Sequence, residues 1–160
     1  LQLLQAAVAG NERFGICTKE LERTGPTYTI DTVRELRRDV GLALPLVLLI
    51  GADQWENFHT WRHWRELFDY VHVAVCTRGG LMKAAVPEVE HFAAPRRVEP
   101  VRLTVTPSGS LTVFDIAAHP ASSTIIRERF ATLDRTEAFK SLETWLPTAV
   151  ARLIAEKNAY

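Results

Sequence analysis

Ser122-Ser123-Thr124-Ile125-Ile126-Arg127 places hydroxyls and free backbone N–H groups at the start of a helical pattern, with a guanidinium about one turn further on. Such a helix start suits phosphate; simple capping with a surface arginine is the plainer alternative. Gly51-Ala52-Asp53 joins a residue that lets a ligand approach the backbone to a carboxylate that accepts hydrogen bonds from ribose hydroxyls or a base amine. An ordinary strand-to-helix turn with an N-cap aspartate gives the same letters. Arg78 precedes Gly79-Gly80, where a forked donor can reach a phosphate unhindered, although a solvated loop arginine is the commoner outcome.

Five aromatic residues, Trp55, Phe58, Trp61, Trp64 and Phe68, recur every three or four positions, which ordinarily means a core stripe. Trp61 stands apart because Thr60 precedes it and Arg62 follows it. At a helix start it could offer its ring face to a planar ligand. His59 and His63 have the i, i+4 spacing of helical metal ligands, but no glutamate follows His59 and no third ligand is evident, so no metal site is assigned. There is no GxxxxGK followed by Ser or Thr, no GxGxxG, no CxxC and no GxSxG, and the mechanisms those motifs serve lose support.

The elements that must position these groups follow from periodicity. Leu1, Leu4 and Val8 give an opening amphipathic helix, already under way at the first residue, so the chain is expected to begin mid-protein. Residues 14–17 are a short strand candidate, and residues 19–27, punctuated by Gly25-Pro26, a loop. Thr29 is placed as the N-cap of a helix through Ile30, Val33, Leu36 and Val40 that Gly41 stops. The apolar run 46–50 predicts a strand buried on both faces, residues 55–68 one or two helical pieces, and residues 71–76 a second buried strand. Residues 81–102, with three prolines, read as a variable connection with one short helix. A strand over 111–116, a helix from Ser122 and a last helix from Pro147 complete the pattern.

Alternating strands and helices predict an α/β domain with a mainly parallel sheet flanked by helices, whose ligands sit beyond the carboxyl ends of the strands. Asp53, Arg78 and the Ser-Ser-Thr helix start all fall there. The 160 residues fit a single domain, residues 1–160. A formal net charge of zero argues against a broad nucleic-acid or membrane footprint while leaving a small phosphate ligand open. No apolar stretch reaches membrane-span length. Cys17 and Cys76 cannot build a disulfide framework and are expected as buried free thiols, which implies a reduced, cytoplasmic setting.

Taken in order, these segments resemble the motif series of bacterial nicotinate-nucleotide adenylyltransferases. Glu20-Leu21 followed by residues 25–32 is similar to the family's E-L…S-Y-T-x-x-T, and residues 49–53 to its I-I-G-x-D. Phe58-His59-Thr60-Trp61 resembles F-x-x-W, Val75-Cys76-Thr77-Arg78 resembles V-x-x-R-P-G, and residues 122–127 resemble I-S-x-T-x-I-R. Leu146-Pro147, Val150 and the final Tyr160 resemble the family's end. Only residues 81–111 lie outside the resemblance.

The resemblance implies a Rossmann-like nucleotidyltransferase domain that transfers the adenylyl group of ATP to nicotinate mononucleotide, with Mg²⁺ brought by ATP, in NAD biosynthesis. Thr29, Trp61 and the backbone of Arg62 would hold the nicotinate, and Arg78 phosphate. Gly51 and Asp53 would line the nucleotide site, with Ser122, Ser123, Thr124 and Arg127 on the adenylate and triphosphate. No nucleic acid or membrane partner is implied; homo-oligomerisation stays open, and no catalytic acid or base is singled out. The family's opening G-G-T-F-D-P-x-H-x-G-H has no counterpart in these residues, so they are expected to be weakly active or inactive by themselves, with an unpaired sheet edge. Thr27 stands for the usual serine, Gly79 for the usual proline after the arginine, and Ala121 for the usual isoleucine. Pantetheine-phosphate adenylyltransferase and a non-catalytic α/β nucleotide-binding module are the rival readings, separated by substrate preference and by binding without turnover.

Overall fold

The computed structural model describes residues 1–80, 82–142 and 144–157; Leu81, at the head of the variable connection, and the closing Tyr160 lie outside them. In chain order the helices and strands are α1 (Gln2–Val8), α2 (Lys19–Glu22), α3 (Thr29–Val40), β1 (Val47–Gly51), α4 (Ala52–Glu56), α5 (Leu67–Tyr70), β2 (His72–Arg78), α6 (Pro87–Ala93), β3 (Leu111–Ile116), α7 (Ser123–Thr132), α8 (Arg135–Leu142) and α9 (Thr148–Lys157). Short 3-10 turns occupy Phe58–Thr60, Ala94–Arg96 and Pro100–Thr104. Two compact units result, one of Lys19–Ala118 and one of Leu1–Thr18 with the chain from His119 onward.

The Lys19–Ala118 unit is built on a three-stranded, wholly parallel sheet in the order β1-β2-β3. Central strand β2 is the most buried, Val73 and Val75 having no exposure. Covering each valine stabilises by about 1.5–3 kcal/mol, so a charge at Val73 would disrupt the sheet. β1 is less covered than a strand buried on both faces would be: Val47 is 43% and Leu49 62% exposed. Val47 and Leu49 alternate with the better-covered Leu48 and Ile50, so one face of β1 is covered and the other is not.

The aromatic stripe explains how the chain leaves β1. Trp55, Phe58, Trp64 and Phe68 are buried in one cluster with Ile30, Ile50 and Leu67, the Trp55 and Phe58 rings stacking at 5.3 Å. α4, the 3-10 turn and α5 are therefore pulled tight against the sheet in place of one long helix. His63 closes the bend at φ 53, the left-handed region, and its Nδ1 lies 2.8 Å from a Glu66 oxygen. The Arg34 guanidinium holds Glu66 below the usual carboxylate range, against a smaller opposing effect of burial.

Arg37, only 4% exposed, ties the unit together without a carboxylate partner. Its guanidinium donates to the carbonyls of Gly41 (3.1 Å), Leu44 (2.6 Å) and Pro107 (2.8 Å), and through Nε (2.9 Å) and Nη2 to Tyr70. Buried His72 does the same for the approach to β3, its Nδ1 accepting from the Ser110 N–H at 3.0 Å while Nε2 donates to the Thr106 carbonyl at 2.6 Å. Only the neutral ring with its proton on Nε2 makes both bonds.

In the other unit α1 packs along α9, and α8 touches both α7 and α9. Its core holds Ala138, Leu142, Val150, Ala151 and Ile154, flanked by an edge-on pair of Phe130 and Phe139. No helix among the described residues is long and apolar enough to cross a membrane.

Several expectations are corrected. Residues 14–17 form no strand; Phe14 is exposed, and among the described residues no strand pairs with the segment. Thr29 is the first residue of α3, not its cap, which is Tyr28. The loop at 19–27 contains the single turn α2, and α8 was not legible in its sequence. Neither cysteine is buried: Cys17 is exposed in a segment that forms no strand, and Cys76 is partly covered because it borders a cavity near the carboxyl end of β2.

Candidate active site

Tyr28, in extended conformation just before α3, and Trp61, in extended conformation just after the 3-10 turn, are presented by two backbones that stop being helical at the same place. Thr27, Tyr28, Thr29, Thr60, Trp61 and Arg62 line a cavity of about 250 Å³. Trp61 is the one member of the aromatic stripe that is not buried. It ends a 3-10 turn and does not open a helix; one side of its ring rests on Phe58 at 5.3 Å, and the ring also borders the cavity. The Arg62 guanidinium lies over the Tyr28 ring at 4.6 Å, so both walls are braced. A flat apolar ring with an anionic substituent matches such a lining: an indole, three threonines and a cation.

The segment carrying Tyr28 is latched from beneath. The Thr32 hydroxyl donates to Glu20 at 2.7 Å and accepts from Arg23 at 2.8 Å, and Arg23 pairs with Glu35 at 2.8 Å. Glu20 and Thr32 thus act on each other, holding the 23–28 loop to α3.

A second cavity, of about 350 Å³, opens at the carboxyl ends of β1 and β2 and is lined by Gly51, Ala52, Asp53, Cys76 and Arg78. Gly51 has an ordinary extended backbone (φ −78, ψ 160), yet a side chain there would begin 2.6 Å from Asp53 Oδ1. The absent Cβ is therefore what lets the Asp53 carboxylate fold back over the strand end. Arg78 is exposed and has no side-chain partner among the described residues, leaving its guanidinium available to an anion.

Ser122 caps α7, its Oγ accepting the Ile125 N–H at 3.2 Å. Ser123, Thr124 and Arg127 are exposed on the first turns of that helix. These four belong to the unit that includes residues 119 onward, whereas the two cavities above belong to Lys19–Ala118. A crevice of about 380 Å³ between α8 and α9 is as large as either cavity, but it gathers none of the groups singled out for chemistry.

Residues 1–129 match the cytidylyltransferase-like family model. A protein of Yersinia enterocolitica described as a probable nicotinate-nucleotide adenylyltransferase is 34% identical over all of this chain and 71% of its own length. Proteins with the same description from Serratia proteamaculans and a Marinomonas species are 32% and 31% identical, the chain covering 71% and 70% of them. The chain belongs to the nicotinate-nucleotide adenylyltransferase family. It is a nucleotidyltransferase with a Rossmann-like domain, as the parallel sheet and the motif order both indicate.

Within this nucleotidyltransferase, two residues that sequence reasoning missed support the site from behind. Glu90 accepts from Trp55 Nε1, the Ala85 N–H and Arg97, each at 2.9 Å. Burial pushes its carboxyl up, but those hydrogen bonds prevail and hold it below its ordinary range. Because Trp55 sits on α4 two residues after Asp53, Glu90 fixes that helix. Asp115, at the end of β3, accepts from Gly80 N–H at 3.0 Å and Thr77 Oγ1 at 2.8 Å, and these bonds hold its carboxyl below the usual range. No local pattern marks what they support, since Trp55 lies 35 positions from Glu90 and Thr77 38 from Asp115.

His59 is exposed and His63 is engaged with Glu66; among the described residues no group of three or more His, Cys, Asp or Glu is arranged to hold a metal ion.

Proposed function

We propose that this chain transfers the adenylyl group of ATP to nicotinate mononucleotide, giving nicotinate adenine dinucleotide and pyrophosphate, in a cytoplasmic step of NAD synthesis. The observation that carries the reading is the cavity that brings Thr29, Trp61 and Arg62 together, a set suited to a planar ring bearing a carboxylate. The family membership supports the same reaction. We treat residues 1–160 as parts of one nucleotidyltransferase domain, because the family match runs through both compact units.

On this reading the nicotinate ring stacks on Trp61, and its carboxylate accepts from the Thr29 hydroxyl and the Arg62 backbone N–H. Arg78 grips phosphate. Asp53 accepts from ribose hydroxyls, with Gly51 giving the nucleotide room against the backbone. Ser122, Ser123, Thr124 and Arg127 hold the adenylate and triphosphate at the start of α7, where free N–H groups and the helix dipole favour anions.

A mononucleotide phosphate oxygen attacks the α-phosphorus of ATP; the bond to the pyrophosphate oxygen breaks, and pyrophosphate leaves with its electron pair. Positioning and charge stabilisation carry such a transfer, so no general base is required of the protein. Mg²⁺ neutralises phosphate charge when it arrives on ATP. Among the described residues Asp53 is the only carboxylate lining the second cavity, a donor set that fits a metal carried largely by phosphates and water and not one caged by protein.

The test is pyrophosphate release from ATP and nicotinate mononucleotide with Mg²⁺, using these 160 residues and a version extended upstream through a G-G-T-F-D-P-x-H-x-G-H segment. Turnover that falls at least tenfold in Trp61→Ala, mainly through KM for the mononucleotide, is the expected result. No turnover in either version, or a Trp61→Ala protein as active as its parent, would sink the reading.

A further inference from the structure

Arg78 must hold a phosphate from a turn that has every reason to be loose. Two consecutive glycines follow it, each free to sample more backbone states than any other residue, and fixing them costs about 1–2 kcal/mol apiece. Gly79 and Gly80 stand at φ +74 and +73, a conformation that proline cannot adopt and other L-residues rarely do. Whatever orders this turn must therefore come from outside it.

The sheet supplies that order. β2 and β3 run in parallel with Thr77 opposite Asp115 and Arg78 opposite Ile116. One oxygen of Asp115 receives the Thr77 hydroxyl on the near side of Arg78 and the Gly80 N–H on the far side. Thr77 is 3% exposed and its hydroxyl also reaches the Phe114 carbonyl at 3.3 Å, so the near anchor is embedded in the sheet. Arg78 lies between the two anchored points and lines the cavity shared with Gly51 and Asp53.

We propose that Asp115 is a positioning residue for adenylyl transfer: by clamping Thr77 and Gly80 to one carboxylate oxygen, it fixes the turn that aims Arg78 at the substrate phosphate. This rests on the reading of Arg78 as a phosphate ligand. Asp115 itself touches no reacting atom. Its contribution is that Arg78 is ordered before substrate arrives, so less freedom is lost on binding.

The experiment combines a structural readout with kinetics in Asp115→Ala, Asp115→Asn, Thr77→Val, Arg78→Ala and the Asp115→Ala/Arg78→Ala double variant. NMR hydrogen exchange at the Gly80 amide is expected to be slow in the parent, fast in Asp115→Ala and slow again in Asp115→Asn, whose side-chain carbonyl still accepts both bonds. Titration with inorganic phosphate should shift the Arg78 Nε–H resonance in the parent and Asp115→Asn but much less in Asp115→Ala. In turnover, Asp115→Ala should raise KM for the mononucleotide about tenfold with kcat little changed, and add nothing further in the Arg78→Ala background. Thr77→Val, which removes one anchor and keeps side-chain volume, should give a smaller rise and serves if Asp115→Ala does not fold.

An unprotected Gly80 amide in the parent, an Arg78 resonance that ignores phosphate, or full additivity in the double variant would overturn the proposal. Absence of turnover in the parent while the Gly80 and Arg78 signals behave as described would instead overturn the reaction assignment and leave the clamp standing.

Discussion

Substituting alanine at Gly51 separates binding from folding at this site. The backbone there is already in a region open to every residue, so no strain arises from the dihedral angles. The new methyl would meet Asp53 Oδ1 at 2.6 Å and Asp53 Cγ at 3.8 Å, and nothing else within 4 Å. The contact is with the end of an exposed side chain, so Asp53 swings away. That rotation costs about 0.5–1.5 kcal/mol if it leaves a preferred rotamer. Loss of unfolded-state freedom on replacing glycine returns about 0.4–1 kcal/mol. Stability should therefore stay within about 1 kcal/mol of the parent, a change in thermal midpoint of only a few degrees. Binding should suffer far more, because the displaced carboxylate forfeits a charge-assisted hydrogen bond worth about 1.5–3 kcal/mol, or roughly 10- to 150-fold in KM for ATP. The assay is calorimetric melting beside pyrophosphate release at varied ATP. An unchanged KM for ATP in a Gly51→Ala protein of normal stability would refute the role assigned to the folded-back Asp53. A midpoint lowered by more than about 5 °C would show that Asp53 is not the only group the methyl displaces.

Other perturbations have equally definite outcomes. Arg37→Met should lower stability by about 3 kcal/mol or more, since the Tyr70, Gly41 and Leu44 carbonyls lose a charged donor, while the Pro107 carbonyl keeps its bond from the Leu46 N–H. Denaturant titration measures this, and a loss under 1 kcal/mol would mean that water replaces the guanidinium. Glu66, Glu90 and Asp115 all have carboxyls held below their ordinary range in the folded protein. Their contribution to stability is complete above the unfolded-state values near pH 4 and is lost as the pH falls through the lower folded-state values. Melting curves between pH 6 and pH 2.5 should therefore be flat at first and drop below about pH 4, less steeply in Asp115→Asn; an equally steep drop in that variant would refute the contribution of Asp115. Arg62→Ala should raise KM for the mononucleotide by only about two- to tenfold, because the backbone N–H survives while the brace over Tyr28 is lost. A complete loss of turnover would assign the guanidinium a direct role.

Much was determined by the sequence alone. The apolar runs at 46–50 and 71–76 and the alternation at 111–116 each encode a strand, because burial of a strand leaves its mark within the strand itself. The parallel α/β character and the order of motifs followed from the same local signals. The neighbours of Trp61, Thr60 and Arg62, set it apart from the other four aromatics, and it alone of the five is not buried. The Gly79 departure from the family pattern was visible, though not what orders the turn. What only the tertiary structure decided is how distant polar groups meet: Asp115 beneath the Arg78 turn, Glu90 behind α4, Arg37 among the carbonyls of Gly41, Leu44, Tyr70 and Pro107. Hydrophobic periodicity records which face of an element is buried, but a hydrogen bond between residues some 35 positions apart leaves no period in either segment. The exposure of Val47 and Leu49 has the same origin, because an apolar run states that a strand can be covered, and only what packs on each face of the sheet determines whether it is.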